Sequence, residues 1–322
     1  MKHDLRPYNR GANTASGLPT WFGTCPGVFA LSSKAFLSYD LSIVRPAGAA
    51  SNSIAYPLGT TDRERQRLVR QAELLHDITL DTFRAAGLGP GMRVLDIGSG
   101  AGDVAMLAAN LVGTGGSVLG IDRDANNVAF AQSRAADAGR SNVTFRQAEI
   151  DSFTGKNLFD AVVGRYILLY VPDRAAVLRQ LAGTLTRGGI LAFIEPDFST
   201  PVRSFPEAPL FQQAGGWIYA VVEASGMHRD SAMGLGRTFL DAGLPFPELL
   251  CHTWIGGGPG HPVYEYAAET VRSILPSAEQ YGIVTPEQAQ IDTLAQRMEQ
   301  EAVSRGCVLM GCPVIGAWAK LR

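Results

Sequence analysis

Cysteine is scarce in this chain: four thiols in 322 residues, at positions 25, 251, 307 and 312, with no C-x-x-C pair among them. Neither a zinc ligand set nor a disulfide framework is legible in that spacing, and the expectation is four reduced thiols and no metal. Charge of either sign is also lacking. Lys and Arg number 28 against 30 Asp and Glu, and charged residues make up only 18% of the chain. No dense Lys/Arg stripe marks a nucleic-acid binder. No stretch of about 18 uninterrupted apolar residues is present, so no membrane span is expected. The apolar stretch nearest the N-terminus is broken by Ser32, Ser33 and Lys34, so no secretory signal is expected and the location is read as cytoplasmic. Disorder is excluded from the other side, because 46% of the residues are apolar. Internal repeats are absent as well.

What is present is an alternation. Residues 1–52 are rich in Gly, Ser, Ala and Pro without a sustained period, and read as a loose N-terminal extension. From Thr61 the spacing T-D-R-E gives a capping box, and Leu68, Leu75, Ile78 and Phe83 recur at helical offsets up to the glycine cluster at 87–91. Short apolar strands are then expected at 93–97, 117–122, 143–147, 159–164 and 189–195, with helices at 103–111, 126–138 and 174–185 between them. Strands that are apolar nearly throughout and alternate with helices predict a parallel sheet covered on both faces. Beyond Pro196 the expectations are helices at 205–224, 230–242, 262–274 and 286–304, and strands at 247–255 and 307–321.

The chemistry concentrates in V-L-D-I-G-S-G-A-G-D (94–103), where a strand runs into Gly98, Gly100 and Gly102 and then into a helix. Such a turn lets a ligand approach the main chain and meet the unpaired N–H groups of the helix start. The dinucleotide fingerprint G-x-G-x-x-G/A fails here, because position 103 is Asp; a nicotinamide-dependent oxidoreductase is therefore the weaker alternative. Asp103 at the helix start suits a cationic or amine-bearing ligand. Asp122 ends the second strand and suits paired ribose hydroxyls, or else a turn-initiating role.

Taken together, V-L-D-I-G-S-G-A-G (94–102), G-I-D-R-D (120–124), R-Q-A-E-I (146–150), F-D-A-V-V-G-R (159–165) and L-T-R-G-G-I-L-A-F-I-E-P (185–196) resemble the class I S-adenosylmethionine-dependent methyltransferases of small molecules. The resemblance implies an α/β fold: a Rossmann-like seven-stranded sheet flanked by helices, the last strand antiparallel, with strands six and seven at 247–255 and 307–321. It implies one domain over residues 53–322, with a helical lid or acceptor insertion at about 198–246. It also implies S-adenosyl-L-methionine as cofactor and S-adenosyl-L-homocysteine as product. Carried over residue by residue, Gly98, Ser99 and Gly100 line the methionine and ribose part, Asp96 organises that loop near the amino group, and Asp122 takes the ribose hydroxyls. Arg123 lies at the adenine, and Ala148, Glu149 and Ile150 meet its edge, with Glu149 where the family more often has Asp. Gly164 and Arg165 meet the methionine end. Tyr56, in Y-P-L-G (56–59), resembles a cofactor-covering segment, or else packs in the core.

The acceptor side is thinner. In-line transfer from a sulfonium needs alignment and exclusion of water more than it needs a base. Glu195 at the exit of strand five either holds an acceptor or caps the next segment. His228 either faces the acceptor from the insertion or sits on the surface at a helix start. Tyr170, with Tyr166, either walls the pocket or packs in the core. The aromatic residues Phe198, Phe205, Phe211, Trp217 and Tyr219 favour a small hydrophobic or aromatic acceptor of natural-product or quinone-like type. A cofactor-binding relative that does not methylate, or that uses the cofactor for another reaction such as cyclisation, stays open, as does a homodimer.

Overall fold

The apolar runs between residues 93 and 196 become five parallel strands. The computed structural model describes residues 62–150, 153 and 158–321; Tyr56, Thr61 and the 1–52 extension lie outside them. In chain order the strands are β1 (Arg93–Ile97), β2 (Ser117–Asp122), β3 (Val143–Gln147), β4 (Phe159–Arg165), β5 (Leu185–Pro196), β6 (Arg203–Phe205), β7 (Glu248–His252), β8 (Ile255–Gly256), β9 (Val308–Met310) and β10 (Val314–Lys320). The helices are α1 (Asp62–Leu74), α2 (His76–Ala86), α3 (Asp103–Val112), α4 (Ala125–Asp137), α5 (Arg174–Ala182), α6 (Pro209–Ala224), α7 (Leu235–Asp241), α8 (Val263–Gln280), α9 (Pro286–Ala289) and α10 (Leu294–Arg305). No helix of the described residues is long and apolar enough to cross a membrane.

Seven strands form the main sheet in the order β3-β2-β1-β4-β5-β10-β7. β10 runs antiparallel to both of its neighbours, from Val314 opposite Pro196 to Lys320 opposite Ile190. Strand alternation divides the core. Val94, Ala161, Val163, Ile190 and Ala192 face α2 and α3. Leu95, Val162, Leu191 and Phe193 face α5 and α7. Each full burial of a side chain such as Phe193 contributes about 2–3 kcal/mol of transfer free energy. The strand order reverses between β1 and β4, so the loops leaving their carboxyl ends diverge and open a crevice.

A third core lies outside the sheet. Helices α6, α8 and α10 pack together through Phe211, Ala214, Val271, Ile274 and Met298, and the small sheet β6-β9-β8 closes their side. This cap is drawn from two stretches of chain, one on each side of β7. The insertion expected at about 198–246 overlaps this cap at β6 and α6. α7 joins α5 over the main sheet, through Leu235 and Phe239, whereas α8 and α10, beyond 246, belong to the cap.

Several element boundaries differ for local reasons. The helix expected to run unbroken to residue 86 divides at Leu75. The helix expected over 174–185 ends at Ala182, because Leu185 is recruited as the β-partner of Phe159. The residues expected to begin a helix at 205 form β6 instead; Pro206 disfavours the helical state at Phe205, and α6 starts with Pro209 in its first turn. α8, by contrast, runs past the expected stop at 274 and through Pro276, with Leu275 and Ala278 buried on its cap face.

Candidate active site

The turn after β1 requires glycine. Gly98 has φ +65°, and a Cβ there would lie 2.5 Å from Ile167 Cδ1, in the loop after β4. Gly102 has φ +87° and starts α3; a Cβ on it would meet Phe145 at 2.9 Å. The chain can thus pass directly under the crevice between β1 and β4. The Gly100 N–H donates to Asp122 Oδ2 at 2.8 Å, and the Asp124 N–H donates to Asp122 Oδ1 at 2.9 Å. One carboxylate therefore ties the loop after β1 to the loop after β2, with lone pairs remaining for a ligand.

These loops enclose a cavity of about 700 Å³. Gly98, Ser99, Gly100, Asp122 and Arg123 line one side, and Ala148, Glu149 and Ile150 line the end beyond β3. Arg165 lines the opposite end and donates from Nη1 to Thr79 Oγ1 at 3.0 Å. Two expected cofactor residues lie behind the wall rather than in it. Gly164 is buried, and a Cβ there would meet Ile167, Ile97 and Phe193 at about 3 Å; it makes room for packing. Asp96 is 1% exposed, and neither of its carboxylate oxygens has a hydrogen-bond partner. Burial holds its pKa well above the usual carboxylate range, opposed mainly by the charge of Arg165. An unsatisfied buried carboxyl under a ligand-binding turn is costly, and a cationic group in the cavity would relieve it. Asp103 also lines this cavity. It is paired with Arg134 at 2.8 Å, and Arg134 also donates to the Ala101 carbonyl, so this pair braces the turn.

A second, apolar cavity of about 110 Å³ lies under the cap. Phe198, Phe211 and Tyr219 line it from the expected insertion, and Trp254, Tyr266 and Cys312 line it from the later stretch. Burial pushes the Cys312 thiol up to about 12. Arg67, Gln71, Tyr166 and Tyr170 line both cavities, so the two meet there.

Glu195 and His228 line neither cavity. Glu195 is fully buried and accepts the N–H groups of Ile167 (3.0 Å), Leu168 (2.8 Å) and Leu169 (3.3 Å). Burial outweighs these donors and raises its pKa to about 7. Its carboxyl fixes the short helical turn Leu168–Tyr170 that presents Tyr166 and Tyr170. The His228 ring is bonded to the Val171 carbonyl through Nε2 at 3.1 Å, and its backbone N–H donates to the Leu169 carbonyl. The geometry therefore corrects the acid–base expectation for both residues: they hold the loop after β4, and neither touches the space where a reaction would occur.

Helix α1 is the wall that pattern reading missed. Its Arg67, Leu68 and Gln71 cover the turn, with Leu68 Cδ1 3.6 Å from where a Cβ on Gly100 would stand. α1 is tied to the cap by a two-bond Arg63–Glu269 pair (2.9 and 2.8 Å) and by Gln71 Nε2 donating to the Tyr266 hydroxyl at 3.2 Å. The available signal was a buried-face spacing, 64, 67, 71, occupied by Glu, Arg and Gln in place of apolar residues.

Residues 88–215 match a family model described as a methyltransferase domain. Among curated proteins, the chain is 37% identical over 129 residues to an aklanonic acid methyltransferase of Streptomyces sp. (strain C5), which covers 38% of this chain and 58% of that protein. It is 34% identical over 122 residues to a ubiquinone/menaquinone biosynthesis C-methyltransferase of Cellvibrio japonicus, covering 37% of this chain and 48% of that protein. The chain thus spans about half the length of these curated relatives. Among solved structures, the YcgJ protein of Bacillus subtilis superposes with a TM-score of 0.51 at 19% identity, over 77% of this chain and 99% of that one, a likeness of fold.

Proposed function

We propose, for a chain whose domain belongs to the class I S-adenosylmethionine-dependent methyltransferases, that it transfers a methyl group to a small, apolar organic molecule seated under the cap. The observation that carries this reading is the meeting of the two cavities at Tyr166 and Tyr170. A polar chamber built on strand ends opens there into an apolar one. The donor set fits S-adenosylmethionine. Asp122 has lone pairs for vicinal hydroxyls, Glu149 can accept from an exocyclic amine, and the buried Asp96 is placed to compensate a nearby ammonium. Arg165, the cation at that same end, suits a carboxylate.

Bound S-adenosylmethionine supplies a methyl already activated on a sulfonium. The protein's part is to align and to desolvate. Ile167 and the Glu195-held turn set the floor of the transfer point, α1 covers it, and the cap's aromatic walls keep water from the acceptor. The reading extends to a small-molecule partner rather than nucleic acid, to a cytoplasmic location and to a homodimer. In the test, the purified chain is titrated with S-adenosylhomocysteine and with NAD, then incubated with S-adenosylmethionine and an acceptor panel. Saturable binding of S-adenosylhomocysteine alone, with turnover on an apolar acceptor, is expected. Binding of NAD but not S-adenosylhomocysteine would overturn the reading.

A further inference from the structure

We propose that the acceptor is an organic acid taken as its anion, and that Arg67 with the Tyr166 and Tyr266 hydroxyls forms the socket that receives its ionised oxygens where the two cavities meet. The inference rests on the methyl-transfer reading above and deepens it by naming the reacting group.

Arg67 is 3% exposed, yet its side chain lines both cavities. Glu64 takes one edge of the guanidinium, through Nε at 2.8 Å and Nη2 at 2.7 Å, and is itself 3% exposed. Burying such a pair costs desolvation energy that an apolar pair would avoid, so stability alone gives weak reason for it. The pair is placed where a cation serves a ligand. Gln71, one turn further along α1, donates to the Tyr266 oxygen, and Thr270 is a second hydrogen-bond partner of that hydroxyl. Arg67 lies close enough to act electrostatically on Tyr266, and Tyr266 on Tyr166. Tyr166 holds φ +55°, a conformation a non-glycine residue adopts at a cost, with its N–H bound to the Ile194 carbonyl. Tyr166 lines both cavities. Burial raises both phenols, so they stay protonated and act as donors.

The apolar cavity is therefore supplied with donors, while among the described residues its lining includes no carboxylate or imidazole. An alcohol, a weakly acidic phenol or an ammonium would need a proton acceptor before attack. A carboxylate needs none at neutral pH. One of its oxygens is held by the socket and the other attacks the methyl carbon. The new O–C bond forms as the C–S bond breaks, and the bonding pair returns to sulfur. Anion and sulfonium become a neutral ester and a neutral thioether, and no proton moves.

The probes are benzoate, 2-naphthoate and anthraquinone-2-carboxylate, each paired with its methyl ester, with 2-naphthol as the base-requiring control. Binding of S-adenosylhomocysteine to the wild-type chain is measured first; its absence overturns the methyl-transfer reading itself. On the chain saturated with S-adenosylhomocysteine, at least one acid is expected to bind about tenfold or more tighter than its ester. With S-adenosylmethionine that acid is expected to give the methyl ester, whereas 2-naphthol gives no methyl ether. Tyr266→Phe should narrow the acid-to-ester ratio. The double variant Glu64→Gln/Arg67→Gln, which replaces the ion pair by an amide pair so that no lone charge is left buried, should abolish the ratio. If no acid binds more tightly than its ester while S-adenosylhomocysteine binds, or if the preference survives in both variants, the socket is overturned and the methyl-transfer reading stands.

Discussion

The two cavities are made by different means. The larger is built mainly on the loops leaving β1, β2, β3 and β4, fixed by glycine turns, by Asp122 and by the Glu195-held turn, with α1 and α5 closing it. The smaller is built from side chains on α1, α6 and α8 and on the loops at 254 and 311, elements far apart in sequence. In the first, a ligand meets positions that the fold itself imposes, so the chemistry recognised is that of the fold. In the second, recognition depends on packing, which one substitution can reshape without disturbing the sheet. Cofactor binding should accordingly be brittle and acceptor choice malleable.

The sharpest way to break that contrast is at Gly98. Gly98→Val puts a branched side chain at φ +65° into Ile167. Backbone strain of about 1–3 kcal/mol plus the clash is expected to lower the thermal midpoint and to remove S-adenosylhomocysteine binding. A variant that retains both would show the turn to be plastic. Asp122→Ala removes the acceptor of two backbone N–H groups. Each charge-assisted bond contributes about 1.5–3 kcal/mol, so calorimetry should report S-adenosylhomocysteine affinity weakened by roughly one to two orders of magnitude.

Glu195 gives a pH-dependent effect. Its folded pKa of about 7 stands above the usual 4.5 because it is buried. Below about pH 4.5 both states carry the proton; between there and about 7 the unfolded chain has lost it and the folded chain has not. Stability therefore falls as pH rises through that window, by on the order of 3 kcal/mol from this group, and levels off above it. Denaturant titrations across pH 4.5–8 should show this slope in the wild type, and a flatter one in Glu195→Gln. Smallest of all is Glu269→Gln. It weakens the Arg63 tie between α1 and α8, an ion pair with a mostly exposed arginine, and should cost less than about 1 kcal/mol in stability while raising the dissociation rate of S-adenosylhomocysteine. An unchanged rate would mean that α1 does not gate the larger cavity.

The same contrast explains what was legible in the sequence. Apolar runs such as R-V-L-D-I and G-I-L-A-F-I mark strands because burial on both faces leaves no room for polar residues, and a glycine turn after the first of them marks the crevice. The carboxylate at 122 was readable because it ends the second strand beside the glycine turn, whereas Glu149 was readable only through the family resemblance. The cap was not readable in that way. Trp254, Tyr266 and Cys312 reach the acceptor cavity only through the packing of α8 and the small sheet, and no local spacing reports this. Arg67 and Gln71 sit on a helix that the pattern marked only by its capping box and by Leu68, Leu75, Ile78 and Phe83, and neither polar residue stood out in it. His228 and Glu195 have the residue types of acids and bases, but their partners are backbone groups that only the folded loop after β4 brings to them. Asp103 lines the larger cavity as its place at the helix start suggested, but its pairing with Arg134 was not readable.

The most direct test of the account is a calorimetric titration of S-adenosylhomocysteine into the wild type, Asp122→Ala and the cap variant Tyr219→Phe. One-to-one binding in the wild type, weakened at least about tenfold in Asp122→Ala and unchanged in Tyr219→Phe, is the predicted result. Absence of binding in the wild type, or equal affinity in the wild type and Asp122→Ala, would contradict it.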